Sequence, residues 1–284
     1  MRLTAIIVPS GRPPEEAWLA GLRVTLGPDV RLLVPGGGDS SGGDFPGRAV
    51  VSQIPRLEGS HALVVRSGDD IHPAGLRECL GLLADDRGGS VIILGTMALR
   101  ETPETWSGII REMMAFGGSL SVDHFLLGDI DRPFTAPLSG IIIPVALLRR
   151  AEPFLRRHAA SPWFPAMLLT LPGTERILQP PGPLVTTSLP RTPESALGAD
   201  GVARAEYFLT QTTCSVDVLV ADRLMGEAAA LLARGAGVGR LVRGGGVIAR
   251  SACHQGPGVA ARVAWRVLRE LGARGGLRLP GGGL

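Results

Sequence analysis

One stretch of the chain places acids where they could do chemistry. The apolar run His61–Val65 is followed by Arg66, Ser67, Gly68, Asp69, Asp70, Ile71, His72 and Pro73, after which a helical pattern begins. Two adjacent carboxylates at the carboxyl end of a strand can hold a hard divalent cation, which takes oxygen ligands and bridges phosphate oxygens. The same pair can simply cap the helix behind it, because a carboxylate accepts from the free N–H groups of a first turn. Local sequence leaves both readings open. His72, beside the acids, is a further candidate for a functional role.

Other residues of interest are more scattered. Asp123, Asp129 and Asp131 flank the apolar run Phe125–Leu127; Asp131 beside Arg132 reads as a surface ion pair, with a role for Asp129 or Asp131 in a site as the functional alternative. His61 and His124 adjoin strand-like apolar runs and read as packed or edge residues. Trp163 and Phe164 read as core, with stacking on a sugar ring as the functional alternative. Gly235-Ala236-Gly237-Val238-Gly239 echoes a dinucleotide fingerprint but follows a helical pattern, so the phosphate-cradling geometry is missing and a turn is expected. Cys79, Cys214 and Cys253 have neither metal-ligand spacing nor the even count of a disulfide framework, which points to a reducing, cytoplasmic setting.

The elements that must position these groups alternate. Leu3–Val8 reads as a buried strand and Pro13–Leu26 as a helix with Pro at its start. Val30–Val34 is a second strand before the glycine-rich loop Gly36–Gly43, and Ala49–Ile54 fits strand or helix. His61–Val65, Val91–Leu94 and Ile141–Ile143 read as further strands. His72–Ala84, Glu104–Phe116 and Val145–Arg157 read as helices. Such alternation predicts an α/β fold with a mainly parallel open sheet and helices on both faces. The strands at 3–8, 30–34, 61–65 and 91–94 are expected side by side, with Pro9, Pro35, Arg66 and Gly95 along one edge. After about residue 172, prolines punctuate short extended pieces. Helical patterns follow at Asp200–Thr210, Ala221–Arg234 and Val259–Gly272, which predicts a domain over 1–190 and a mostly helical extension over 191–284.

Composition sets bounds on partners. The 29 basic residues are all Arg, and neither Lys nor Asn occurs, a bias expected of a GC-rich, bacterial-type coding sequence. Arg abundance is therefore no argument for nucleic acid, and a formal net charge of +3 adds little, so no nucleic-acid partner is expected. No run of eighteen apolar residues occurs, and none is expected to span a membrane. On the last helical pattern, Arg262, Arg266 and Arg269 share one side. That side reads as a solvated face, with an anionic membrane surface as the alternative contact.

The order of these segments resembles that of family 2 glycosyltransferases, whose fold is called GT-A. Ala5-Ile6-Ile7-Val8-Pro9-Ser10-Gly11-Arg12 is similar to the family's opening strand and turn. The loop Val34–Asp44 lies where the family carries its uridine-contacting acidic turn. Gly59–Leu76 looks like its metal-binding acidic motif, and Pro137-Leu138-Ser139-Gly140 with Ile141–Ile143 and Arg149-Arg150 like its acceptor-side segment. The resemblance covers about residues 3–188. It implies a nucleotide-sugar donor, a uridine diphosphate sugar, with Mg²⁺ or Mn²⁺ on Asp69. Pro9, Ser10, Arg12, Asp39, Ser67 and Asp70 would lie on the nucleotide side. The acceptor would be a glycan, a lipid-linked sugar or a small molecule.

The departures are specific. Ser67 stands where the family has the first acid of the metal motif, and Pro35-Gly36-Gly37-Gly38 where an acid grips the base, leaving Asp39 as the substitute. After Arg150 no acidic pair occurs, so Glu152 and Asp131 are the remaining candidates for the catalytic base. Two rival readings follow: a non-catalytic relative that keeps the sheet for binding or assembly, and a nucleotidyltransferase using Ser10-Gly11-Arg12 after the first strand.

Overall fold

Leu3–Val8 is buried at all of its positions, as a strand covered on both faces must be. A computed structural model places it between two parallel neighbours in the sheet; residues 2–9, 14–35, 46–84, 91–99, 118–131, 138–180, 182–187, 201–214, 216–234 and 257–274 are described. The elements in chain order are β1 (Leu3–Val8), α1 (Glu16–Leu26), β2 (Arg31–Leu33), α2 (Pro46–Gln53), β3 (His61–Arg66), β4 (Asp70–Ile71), α3 (Pro73–Ala84) and β5 (Val91–Leu94). Next come β6 (Thr96–Leu99), β7 (Ser119–Ser121), α4 (Val122–Asp131), β8 (Ile141–Pro144), α5 (Val145–Arg157), α6 (Phe164–Leu169), β9 (Arg176–Leu178) and β10 (Pro183–Thr187). Three helices complete the chain: α7 (Gly201–Gln211), α8 (Val218–Arg234) and α9 (Pro257–Arg274).

Seven strands form one sheet in the order β2-β1-β3-β8-β5-β9-β7, and a second, three-stranded sheet has the order β4-β10-β6. β1 pairs in parallel with β2 and β3. The predicted α/β architecture is present, but one adjacency differs. β5 runs in the same direction as β3 without touching it, because β8 lies between them, antiparallel to both. An unbroken Ile141–Ile143 run carries no mark of its direction, and the turn ahead of it reverses the chain. Gly140 sits in that turn at φ +81, where a Cβ would come within 2.8 Å of Val185 Cγ2. β7 and β9 lengthen the sheet, again with one antiparallel pairing.

The core on one face combines Leu3, Ala5 and Ile7 of β1 with Leu63, Val65, Val91 and Ile93, and packs on Leu22 and Leu26 of α1 and Leu76, Cys79 and Leu83 of α3. The alternate residues Ile6, Val8, Ala62 and Val64 are as deeply buried, and α2 packs against β1 and α5. Each such side chain, fully buried, contributes about 1.5–3 kcal/mol of transfer free energy.

Boundaries moved where local signals were weak. The ambiguous stretch Ala49–Ile54 is helical, completing α2 and a 3₁₀ turn at Ile54–Arg56. α1 starts at Glu16 and ends at Gly27, whose φ of +88 lets its N–H close on the Arg23 carbonyl. Phe125–Leu127 lies inside helix α4 and is no strand. The segments 36–43, 104–116 and 235–246 lie outside the described residues.

The chain divides into two compact units: Met1–Phe125 with Phe134–Arg191, and Leu126–Pro133 with Thr192–Leu284. In the second, α8 packs against both α7 and α9. Its buried stripe Val220, Leu224, Met225, Ala228, Ala229, Leu232 and Ala233 follows the helical period. No helix among the described residues is long and apolar enough to cross a membrane.

Candidate functional site

β1 and β3 end level with each other, Val8 opposite Arg66, and the N–H of Ser67 continues the ladder to the Val8 carbonyl at 2.8 Å. Beyond that the chain turns on Gly68, at φ +93, closed by a 3.1 Å bond from the Asp69 N–H to the Arg66 carbonyl. The turn carries Asp69 back under the sheet edge, where it is only 3% exposed.

The buried carboxylate is held from several sides. The Ser139 hydroxyl donates to Asp69 Oδ2 at 2.5 Å and accepts from the Arg66 backbone N–H at 2.7 Å. Thr187, at the end of β10, donates a second side-chain hydrogen bond. Trp18 Nε1, on α1, donates to the Asp69 carbonyl at 3.1 Å. Burial pushes the Asp69 acid above its ordinary value, and Asp70 adds to this. Ser139, Thr187 and the nearby Arg66 charge pull the other way without cancelling it. The Arg66 guanidinium is half-buried, so burial lowers its pKa while the Asp69 charge raises it. Among the described residues its side chain meets no hydrogen-bond acceptor and forms no ion pair.

Asp70 is exposed and belongs to β4, opposite Thr186 of β10. The residue at the helix start is His72, whose carbonyl accepts from the Leu76 N–H at 2.9 Å while its own N–H bonds the Leu184 carbonyl. The backbone of 70–72 is engaged with β10. The His72 ring bonds Thr186 Oγ1 through Nε2 at 2.6 Å.

Does this donor set suit a divalent cation? Among the described residues no three His, Cys, Asp or Glu side chains gather around one point. Asp69 is buried whereas its neighbour Asp70 is exposed. Mg²⁺ is commonly held by one or two carboxylates plus substrate phosphates, so the arrangement fits a cation with Asp69 as its single protein carboxylate and a ligand supplying the rest.

The remaining expected site residues are spread out. Pro9 lies at the same edge as Ser67, which is buried in the turn; Ser10, Arg12 and Asp39 lie outside the described residues. Glu152, on α5, accepts from Arg156 at 2.6 Å. That helix begins at Val145, whose N–H bonds Ser60 at the opposite, amino end of β3. Asp131 belongs to the second unit and pairs with Arg223 at 3.4 Å, and Arg132 lies outside the described residues. Asp129, in the same unit, is fully buried, and its carbonyl accepts from Arg204. Trp163 and Phe164 are both about 1% exposed and are core residues. His61 is buried beside Ser60, and His124 is exposed and bonds Ser121. On α9, Arg266 is tied to Asp222 of α8, so the three arginines do not form one free face.

Sequence reasoning did not single out Arg66, Thr187 or Trp18 as site residues, and placed Ser139 in an acceptor-side turn. They stand at positions 18, 66, 139 and 187, and no local pattern links such distant residues. The one signal available was Ser139-Gly140 directly before an apolar strand.

No protein-family model and no curated protein matches the sequence. Solved structures do match. TarS residues 1–349 from S. aureus superposes with a TM-score of 0.52 at 12% identity, over 97% of this chain and 92% of that one. A longer TarS structure gives 0.52 at 11% identity, over 95% of this chain and 54% of that one. TarS 1–349 in complex with UDP-GlcNAc gives 0.50 at 12% identity, over 98% and 93%. At such identities the likeness is one of fold: this chain shares the α/β fold of S. aureus TarS.

Proposed function

We propose that this protein binds a nucleotide sugar, a uridine diphosphate sugar, and transfers the sugar to an acceptor, as a divergent member of the family 2 glycosyltransferases. The observation that carries the reading is the placement of Asp69, buried and held by Ser139 and Thr187 at the carboxyl edge of the sheet. Open α/β sheets bind ligands at that edge. The fold shared with TarS, solved with UDP-GlcNAc, supports the choice of donor. Pro9, Ser10, Arg12, Asp39, Ser67 and Asp70 would line the nucleotide side, and Asp69 would hold Mg²⁺ or Mn²⁺. Such a cation neutralises charge on the diphosphate leaving group. The chain's own part is to orient Asp69 through two hydroxyls and to exclude water from it. The acceptor would be a glycan, a lipid-linked sugar or a small molecule, met in the cytoplasm.

A second reading, a non-catalytic binding protein with the same sheet, is favoured by one observation. Each base candidate is held in an ion pair within its own unit. Glu152 is engaged by Arg156 on a helix that starts at the far edge, and Asp131 pairs with Arg223 in the second unit. Thermal melting across a panel of nucleoside diphosphates, with and without Mn²⁺, tests what the two readings share, since a ligand that binds only the folded state raises Tm. A rise with UDP is expected; a flat panel sinks both. Turnover of UDP-GlcNAc, measured as UDP release, then separates transferase from binding protein.

A further inference from the structure

A diphosphate brings two to three negative charges to a site whose nearest protein acid, Asp69, is itself a carboxylate. Electrostatics therefore demands a cation at that edge. The described residues place one there. Arg66 ends β3 level with the last residue of β1, three residues ahead of Asp69. Its backbone is fully engaged, the N–H with Ser139 and the carbonyl with the Asp69 N–H. Its side chain is the opposite. It is half-buried, and among the described residues it has no hydrogen-bond acceptor and no ion pair, not even with the neighbouring Asp69. A guanidinium presents five donors in a planar fork that matches phosphate oxygens two at a time. Partial burial strengthens any contact that such a fork makes with an anion.

We propose that Arg66 is a diphosphate-binding residue, its guanidinium forking onto phosphate oxygens of the nucleotide while Asp69 faces the same group from the other side of the turn. The inference rests on the nucleotide-sugar reading above and extends it. Arg66 supplies a fixed positive charge at the end of β3, beside the turn where the sequence resemblance assigned Ser67, Asp69 and Asp70. It also accounts for the tether from Ser139, which ties the Arg66 backbone and the Asp69 carboxylate to one hydroxyl and so sets the separation of cation and acid.

The test is calorimetric titration of UDP and of uridine into the full-length wild type and into Arg66→Gln and Arg66→Lys, each with Mn²⁺ and again with EDTA. Loss of a charge-assisted pair of hydrogen bonds should weaken UDP binding to Arg66→Gln by about 10- to 100-fold. Uridine, which has no phosphate, should bind all three proteins alike. Arg66→Lys should recover part of the loss, since Lys keeps the charge without the fork. If wild type binds UDP and Arg66→Gln binds it equally well, the role of Arg66 is overturned while the nucleotide reading stands. If uridine weakens in parallel with UDP, the residue acts on the whole site and the diphosphate assignment is likewise overturned. If wild type binds no UDP under either condition, the nucleotide reading fails and this inference with it. Should Arg66→Gln not fold, Arg66→Lys decides: affinity and salt dependence equal to wild type for UDP overturn the proposal.

Discussion

Ser139 and Asp69 are 70 residues apart, yet the Ser139 hydroxyl lies 2.5 Å from Asp69 Oδ2. Because the same oxygen accepts from the Arg66 N–H, one small side chain joins the turn before β8 to the turn after β3. Replacing Ser139 by Ala leaves a buried carboxylate oxygen and a buried N–H each short of a partner. The expected cost is about 1–3 kcal/mol per group, read as a lower urea midpoint at unchanged slope. Thr at this position keeps the hydroxyl and should recover part of the loss.

Asp69→Asn bears on both stability and binding. Burial raises the folded-state pKa of Asp69 above its unfolded value, so the folded protein binds this proton more tightly than the unfolded chain does. The sign follows: the stabilising contribution is complete below the ordinary carboxylate range and is lost as pH rises through the raised folded value. At neutral pH the ionised group is a liability. Asp69→Asn should therefore melt at the same temperature as wild type or higher at pH 7, with the advantage shrinking as pH falls toward 4. Nucleotide affinity in the presence of Mn²⁺ should drop at least about tenfold, as expected when a cation loses its carboxylate. Differential scanning calorimetry across pH, with UDP titration at pH 7, reads both. A variant less stable at pH 7 than at pH 4, relative to wild type, contradicts the sign.

Gly140→Ala should be among the most damaging single-methyl changes. The residue holds φ +81, and the new Cβ would press on Val185 Cγ2 at 2.8 Å. Left-handed strain and overpacking each cost about 1–3 kcal/mol. The Gly140 N–H and carbonyl also bridge Val64 and Gly95, so the turn cannot relax by moving away. Equilibrium denaturation measures the loss, and UDP affinity should fall with it because Ser139 is the preceding residue.

In the second unit, Arg204 donates to the carbonyls of Asp129 and Ile130 in the last turn of α4 and lies 5.1 Å from the Phe208 ring centroid. Removing it leaves buried helix-end carbonyls and a fully buried Asp129 without their cation. Arg204→Ala should cost about 2–4 kcal/mol, with Arg204→Lys intermediate. By contrast, Arg266→Ala, which breaks the largely exposed pair with Asp222, should cost under about 1 kcal/mol. Similar melting temperatures for the two alanine variants would contradict the ranking.

The thiols give a simple accessibility check. Burial pushes the Cys79 thiol up to about 12 and the Cys214 thiol up to about 11, and thiolate is the reactive form. A native Cys253→Ser variant should therefore show no fast phase with a thiol-exchange reagent at pH 8, and two equivalents once unfolded.

What the sequence determined by itself was the class of fold and the place to look. Buried strands such as Leu3–Val8 and Val91–Leu94 are unbroken apolar runs, and helices such as Val145–Arg157 repeat at 3.6 residues, so the α/β alternation is written locally. Asp69 directly after a strand marked the carboxyl edge for the same reason. Tertiary structure alone decided the rest. Whether Ile141–Ile143 runs with or against its neighbours depends on a turn at Gly140, since an all-apolar strand pairs equally well in either sense. The surroundings of Asp69 and Asp70 were separated by β10, a strand more than a hundred residues later, which takes the backbone of Asp70 into a ladder. Likewise, nothing near Arg66 in sequence reveals that its side chain is half-buried and meets no acceptor among the described residues. Hydrogen-bond partners are chosen in space, and the folded sheet brings residues 66, 69, 139 and 187 to one edge.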